Sequence, residues 1–132
     1  MIVLDTHVLI WWVNGCEKLS NKAKRLVNQH RKEERSILVS SISAWEIAVL
    51  IGKSRLILSM DVDSWLQETA KIPAINFIPI GNEVAVKSTQ LPGTFHKDPA
   101  DRMIVSLARH FSVPLITADK KILAYPHVKT VW

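Results

Sequence analysis

Short apolar runs alternate with amphipathic helical stretches along the whole sequence, and this alternation limits the fold more than any other feature. Ile2-Val3-Leu4, Ile37-Leu38-Val39, Phe77-Ile78-Pro79-Ile80, Val113–Thr117 and Val128–Val131 read as strands, because they are short, aliphatic and bounded by polar residues. Between them lie helical patterns over Thr6–Val13, Ser20 to about Glu34, Ser43 to about Gly52, Asp61–Lys71, Asn82 to about Leu91, and Pro99–Phe111, with a short one after Asp119. Ser20 has the form of a helix cap, Ser43 and Glu46 have capping-box spacing, and Asp98 precedes Pro99 as a cap precedes a first helical proline. Pro79 marks an edge strand or a strand end. Strand–helix alternation of this kind predicts an α/β domain with a mainly parallel sheet of about five strands. No repeat, low-complexity tract or linker divides residues 1–132, so a single domain is expected.

Composition excludes several classes. With 132 residues and one cysteine, Cys16, the chain suits one domain with its own core and no disulfide framework or Cys-rich zinc site. The longest strongly apolar run, Val8 to Val13, is six residues, against about 20 for a membrane span. The first residues lack the basic segment and apolar stretch of a secretion signal. The expected location is a reducing cytoplasm. Seventeen Lys and Arg against 12 Asp and Glu leave a net charge of +5, which favours polyanionic partners such as nucleic acid, weakly when taken alone.

Most acidic residues have ordinary surroundings. Glu33 and Glu34 sit in a charged run, and Asp61 and Asp63 are placed as helix caps. Asp5, Glu46, Asp101 and Asp119 are different, because each is flanked by apolar sequence. A lone buried carboxylate is costly and tends to neutralise, so four of them imply hydrogen bonds or a cation. Asp5 and Asp119 follow predicted strands, whereas Glu46 and Asp101 are expected in first helical turns. In a parallel sheet, strand C-termini and the helix starts that follow them share one edge, where such folds place their sites. Asp98 lies one helical turn from Asp101, so both can face that edge. Each acid also has a plain structural use as a cap or helix-dipole partner. Taken together, five carboxylates at one edge favour a hard divalent cation, Mg²⁺ or Mn²⁺. The five histidines are scattered, which disfavours zinc. His7 reads as structural, and His96 as a loop contact or a group that orients substrate.

These residues resemble a known family, the PIN-domain ribonucleases of the VapC toxin type. The matching pieces are Val3-Leu4-Asp5-Thr6-His7, Ser40-Ser41-Ile42-Ser43-Ala44-Trp45-Glu46-Ile47, Leu91 through Arg102 with its His96-Lys97-Asp98-Pro99-Ala100-Asp101, and Leu115-Ile116-Thr117-Ala118-Asp119. Four pieces in order cover essentially the whole chain. The resemblance implies a three-layer α/β/α sandwich and a Mg²⁺- or Mn²⁺-dependent endoribonuclease, the toxin of a toxin–antitoxin pair. Its acidic quartet falls on Asp5, Glu46, Asp101 and Asp119, with metal ligation expected from Asp5, Asp98, Asp101 and Asp119. Thr6 and Thr117 would support these carboxylates from behind. The expected products carry a 5′-phosphate and a 3′-hydroxyl. A homodimer and a small antitoxin protein are the implied partners.

An acidic edge repels RNA, so cations are expected nearby: Lys97 and Arg102 beside the third motif, and Lys53 and Arg55 after the Glu46 helix, together with His96. Of the five tryptophans most are expected in the core, while Trp11 and Trp12 are adjacent and cannot both be equally buried. Two other functions fit the same pattern. One is a non-catalytic nucleic-acid-binding or interaction module of the same fold, which metal-dependent turnover would exclude. The other is a phosphotransfer enzyme using Asp5 as nucleophile, which a phosphoryl adduct on Asp5 would reveal. His7 breaks the Asp-x-Asp start that phosphatases of that kind use.

Overall fold

The computed structural model describes all 132 residues. In chain order the elements are β1 (Ile2–Leu4), α1 (Thr6–Asn14), α2 (Asn21–Lys32), β2 (Ile37–Ser40), α3 (Ser41–Gly52), α4 (Val62–Ala70), β3 (Ile75–Ile78), α5 (Asn82–Ser88), α6 (Pro99–Phe111), β4 (Leu115–Ile116), α7 (Lys120–Leu123) and β5 (Thr130–Val131). All strand pairs are parallel, in the order β3-β2-β1-β4-β5. Pro79 lies just beyond β3, an edge strand, where its missing N–H costs no ladder bond.

Alternation along the strands builds two cores. Ile2, Leu4, Ile37, Val39 and Ile116 face Val8, Leu9, Val27, Ile47 and Trp65 of α1 to α4. Val3, Leu38 and Leu115 face Ile104, Val105, Leu107 and Ile122 of α6 and α7. The result is the expected three-layer α/β/α sandwich. From β1 the chain steps outward to β2 and β3. It then returns across the sheet to β4 and steps the opposite way to β5. Crossovers of one hand place the two sets of helices on opposite faces. The reversal leaves a crevice between the C-terminal ends of β1 and β4, the position where open α/β sheets bind ligands.

Three local expectations are corrected. Helix α3 starts at Ser41 with Ser40 as its cap, since the Ser40 hydroxyl accepts from the Ile42 amide at 3.2 Å. Ser43 and Glu46 therefore form no capping box, and Glu46 lies in the second turn rather than the first. Helix α5 ends at Ser88, short of Leu91, where the Ser88 and Thr89 hydroxyls donate to the carbonyls of Ala85 and Val86. Hydroxyls that compete for backbone acceptors commonly loosen a helix end. The last two strands are two residues each, shorter than their apolar runs.

Candidate functional site

Asp5, Glu46, Asp98, Asp101 and Asp119 line one crevice of about 400 Å³ at the β1/β4 reversal, with Thr6, His7, Trp11 and Ala118. No Lys or Arg lines it. Asp5 is the first residue past β1 and caps α1; Asp98 caps α6, and Asp101 sits in its first turn; Asp119 caps α7. Placement at helix starts partly offsets the mutual repulsion of these acids.

The structural and functional readings of these carboxylates coexist, because most use one oxygen for the fold and keep the other free. Asp98 Oδ1 accepts from the Asp101 amide at 2.9 Å. Asp119 Oδ1 accepts from the amides of Lys121 and Ile122 at 2.8 and 3.1 Å. Glu46 Oε1 accepts from the Thr6 hydroxyl. That hydroxyl has only one proton to give, so the Ser43 hydroxyl, 2.8 Å from it, is the donor in the Thr6–Ser43 contact. Asp5 is the most constrained: Oδ1 accepts from the Thr6 amide at 2.8 Å and Oδ2 from the Thr117 hydroxyl at 2.7 Å. Thr117 also accepts from the Asp119 amide at 3.0 Å, so one buried hydroxyl ties together the acids that follow β1 and β4.

The crevice resists its own charge. Asp101 is pushed up to about 8, first by burial and then by the charges of Asp5, Asp98, Asp119 and Glu46. Burial also raises Asp5, against the hydrogen bonds from Thr117 and Thr6 and with some help from Asp119. Glu46 is raised by burial too, opposed by the Thr6 bond and aided by the charges of Asp5 and Asp98. His96 Nε2 lies 2.9 Å from Asp101 Oδ2, yet this nitrogen is buried with no aligned hydrogen-bond partner. The approach is therefore a close contact without hydrogen-bond alignment. Such a site takes up either protons or a cation.

The donors fit a hard divalent ion, since all are carboxylate oxygens and four carry an oxygen with no intramolecular partner. As the side chains stand, no three His, Cys, Asp or Glu groups are placed to form a metal shell. Completing one requires the free oxygens to turn inward or water to bridge them.

The cations expected around the crevice are placed differently. Lys97 is exposed on the loop before α6, next to Asp98. Lys53 and Arg55 are exposed beyond the end of α3, outside the crevice. Arg102 also serves the fold: its guanidinium donates to the carbonyls of Ser88, Phe95 and His96 at 2.8, 3.1 and 3.2 Å. It fastens the α5–α6 loop through Nε and Nη1. His7 is corrected, being exposed on the crevice wall rather than packed inside. Its ring lies 5.7 Å from that of Trp11, which in turn lies 5.9 Å from Trp132. The sequence held a usable clue here. His7 and Trp11 are four residues apart, on one face of a helix capped by a site residue.

Comparison with known proteins places these features in a wider group. A family model described as "PIN domain" matches residues 2–128. Ribonuclease VapC22 of Mycobacterium tuberculosis is 34% identical over 133 aligned residues, covering 99% of this chain and 98% of that protein. Among solved structures, VapBC2 from Rickettsia felis bound to a promoter DNA fragment aligns with a TM-score of 0.69 at 19% identity, over 99% of this chain and 98% of that one. FitAcB from Neisseria gonorrhoeae aligns with the same TM-score and identity, over 100% and 97%. At this identity the two structural likenesses speak for the fold.

Proposed function

The chain belongs to the PIN-domain family, and from that premise we propose that it is a divalent-metal-dependent endoribonuclease, the toxin of a toxin–antitoxin pair. One observation carries the reading. Five carboxylates from four separate stretches of sequence converge at the sheet's reversal point, and four keep an oxygen free. Asp5, Asp98, Asp101 and Asp119 are the residues to hold Mg²⁺ or Mn²⁺. The bound ion supplies an acidified water and positive charge for the phosphate and the leaving oxygen. Asp5, clamped at both oxygens, gives a fixed reference point for that arrangement. Glu46, oriented by Thr6, presents Oε2 to accept the proton of the attacking water. Attack by water, rather than by the RNA's own 2′-hydroxyl, leaves a 5′-phosphate and a 3′-hydroxyl.

The test is cleavage of a mixed cellular RNA pool by the purified, partner-free protein with Mn²⁺, Mg²⁺ or EDTA, with the cut ends mapped. Cuts that need the metal and carry 5′-phosphates are expected. Cyclic-phosphate ends would sink the mechanism, and folded protein that never cuts would sink the function. Thr117→Val is expected to slow cleavage by about 10- to 100-fold, as removing a group behind a metal ligand generally does. It should also lower stability by about 1–2 kcal/mol through the unpaired Asp5 oxygen and Asp119 amide. Single-turnover rates and thermal melts check both parts.

The same reading includes a small antitoxin protein as partner, a homodimer, and action in the cytoplasm. The antitoxin is supported by the toxin–antitoxin complexes that share the fold. No helix is long and apolar enough to cross a membrane.

A further inference from the structure

His7 and Trp11 line two cavities at once. On one side is the carboxylate crevice. On the other is a second cavity of about 470 Å³, whose lining includes Asn14, Cys16, Lys18, Leu50 and Arg55. The charges divide at this aromatic wall. The first cavity holds five carboxylates and no Lys or Arg, and the second holds Lys18 and Arg55 and no Asp or Glu. Trp11 also packs against Trp132, with ring centroids 5.9 Å apart. An aromatic face flanked by cations is what a single-stranded nucleotide requires: a surface for its base and a charge for its phosphate.

Resting on the nuclease reading, we propose that the second cavity is the subsite for the nucleotide beside the cut. Its base stacks on the His7–Trp11 wall, and the phosphate beyond it is held by Lys18 and Arg55. The strand thus leaves the acidic crevice directly into positive potential. This accounts for how RNA is held at a cluster of carboxylates that contains no cation of its own. It also gives Arg55 a definite place, and it makes Trp11 a positioning residue that favours whichever base stacks best.

The test uses a fluorescein-labelled RNA eight-mer centred on the wild type's major cut in the RNA pool. Two sister probes each carry an abasic riboside on one side of that cut. Binding is followed by anisotropy in an Asp101→Asn background, which keeps the probes intact. Trp11→Leu is expected to weaken the intact probe about tenfold, in line with the loss of one base–aromatic stack. It should have no effect on one of the two abasic probes. Joint Lys18→Ala and Arg55→Ala replacement should weaken all three and reduce the salt-dependence slope by about 0.7, for one lost phosphate contact on a single strand. The eight-mer should also slow alkylation of Cys16, the only thiol, by N-ethylmaleimide. His7→Ala, at an exposed position, carries the stacking arm if Trp11→Leu fails to fold.

Equal weakening of all three probes by the wall variants would overturn the inference, as would no weakening. An unchanged salt slope in the two-cation variant, with lost capture of a cognate antitoxin peptide, would assign the cavity to the protein partner and overturn it equally. A wild type that cuts normally while the variants bind normally removes the subsite alone. A wild type that cuts no RNA removes the nuclease reading and the subsite with it.

Discussion

Asp101→Asn is expected to lower metal-dependent cleavage by about three orders of magnitude, the upper end for removing one preorganised charge-stabilising group, and to stabilise the metal-free protein. Both effects have one origin. Asp101 is pushed up to about 8 in the folded chain, well above the usual carboxylate range, because burial and four neighbouring carboxylates oppose its charge. Its folded pKa is raised, so the stability it contributes is complete below about pH 4 and is lost as pH climbs toward 8. Asparagine does not titrate. The melting temperature of the variant should therefore exceed that of wild type by a margin that widens from pH 5 to pH 8. A bound cation inverts the balance, since it rewards the ionised form. The stabilisation of wild type by Mn²⁺ should grow with pH over the same window, and in the variant it should be smaller and rise less, through Asp5 and Glu46 alone. Thermal melts from pH 5 to 9, with Mn²⁺ or EDTA, together with single-turnover cleavage, check the whole pattern. Parallel pH profiles for wild type and variant would remove the explanation. A site that weakens the free fold in order to bind its ion is a familiar trade between stability and activity.

The fold and the acids were legible because both follow from local pattern. Runs such as Ile2-Val3-Leu4 must be buried on both faces, and their alternation with helices leaves few topologies. Asp5, Glu46, Asp101 and Asp119 stood out because burying charge among apolar neighbours demands compensation. Other features depended on contacts that sequence distance hides. Ser43 had the spacing of a helix start, yet its hydroxyl serves Thr6, which is 37 positions away. Ser40, the actual cap, is also the last residue of β2, one position past the apolar run that marks the strand. Thr117 sits two residues before Asp119, which gives no sign of a partner elsewhere in the chain. Its hydroxyl donates to Asp5, 112 positions away, and accepts from the Asp119 amide. The apolar neighbours of His7 suggest a structural role. A helix of nine residues with Val8, Leu9 and Ile10 buried still leaves one face outward, and His7 lies on it.

Arg102→Ala is expected to act through the fold rather than through RNA charge. The sequence suggests a cation beside an acidic motif. The structure shows a guanidinium whose Nε and Nη1 are committed to three carbonyls, drawn from the end of α5 and from the loop that leads to Asp98. Those carbonyls are partly buried and lose their only side-chain donor in the variant. A charge-assisted bond set of this kind is worth about 3 kcal/mol, which for a domain of this size corresponds to a fall of roughly 10 °C in melting temperature. Lysine cannot rescue it, because one ammonium does not reproduce a planar fork that spans carbonyls seven residues apart in sequence. The loop carries His96, Lys97 and Asp98, so loosening it should also slow cleavage, mainly in kcat, as the cap of α6 and the contact at Asp101 lose their fixed positions. The salt dependence of RNA binding should stay as in wild type, because no phosphate contact has been removed. A reduced salt slope with an unchanged melting temperature would restore Arg102 as an RNA contact. A large drop in melting temperature with an unchanged slope would establish it as the clasp of the α5–α6 loop.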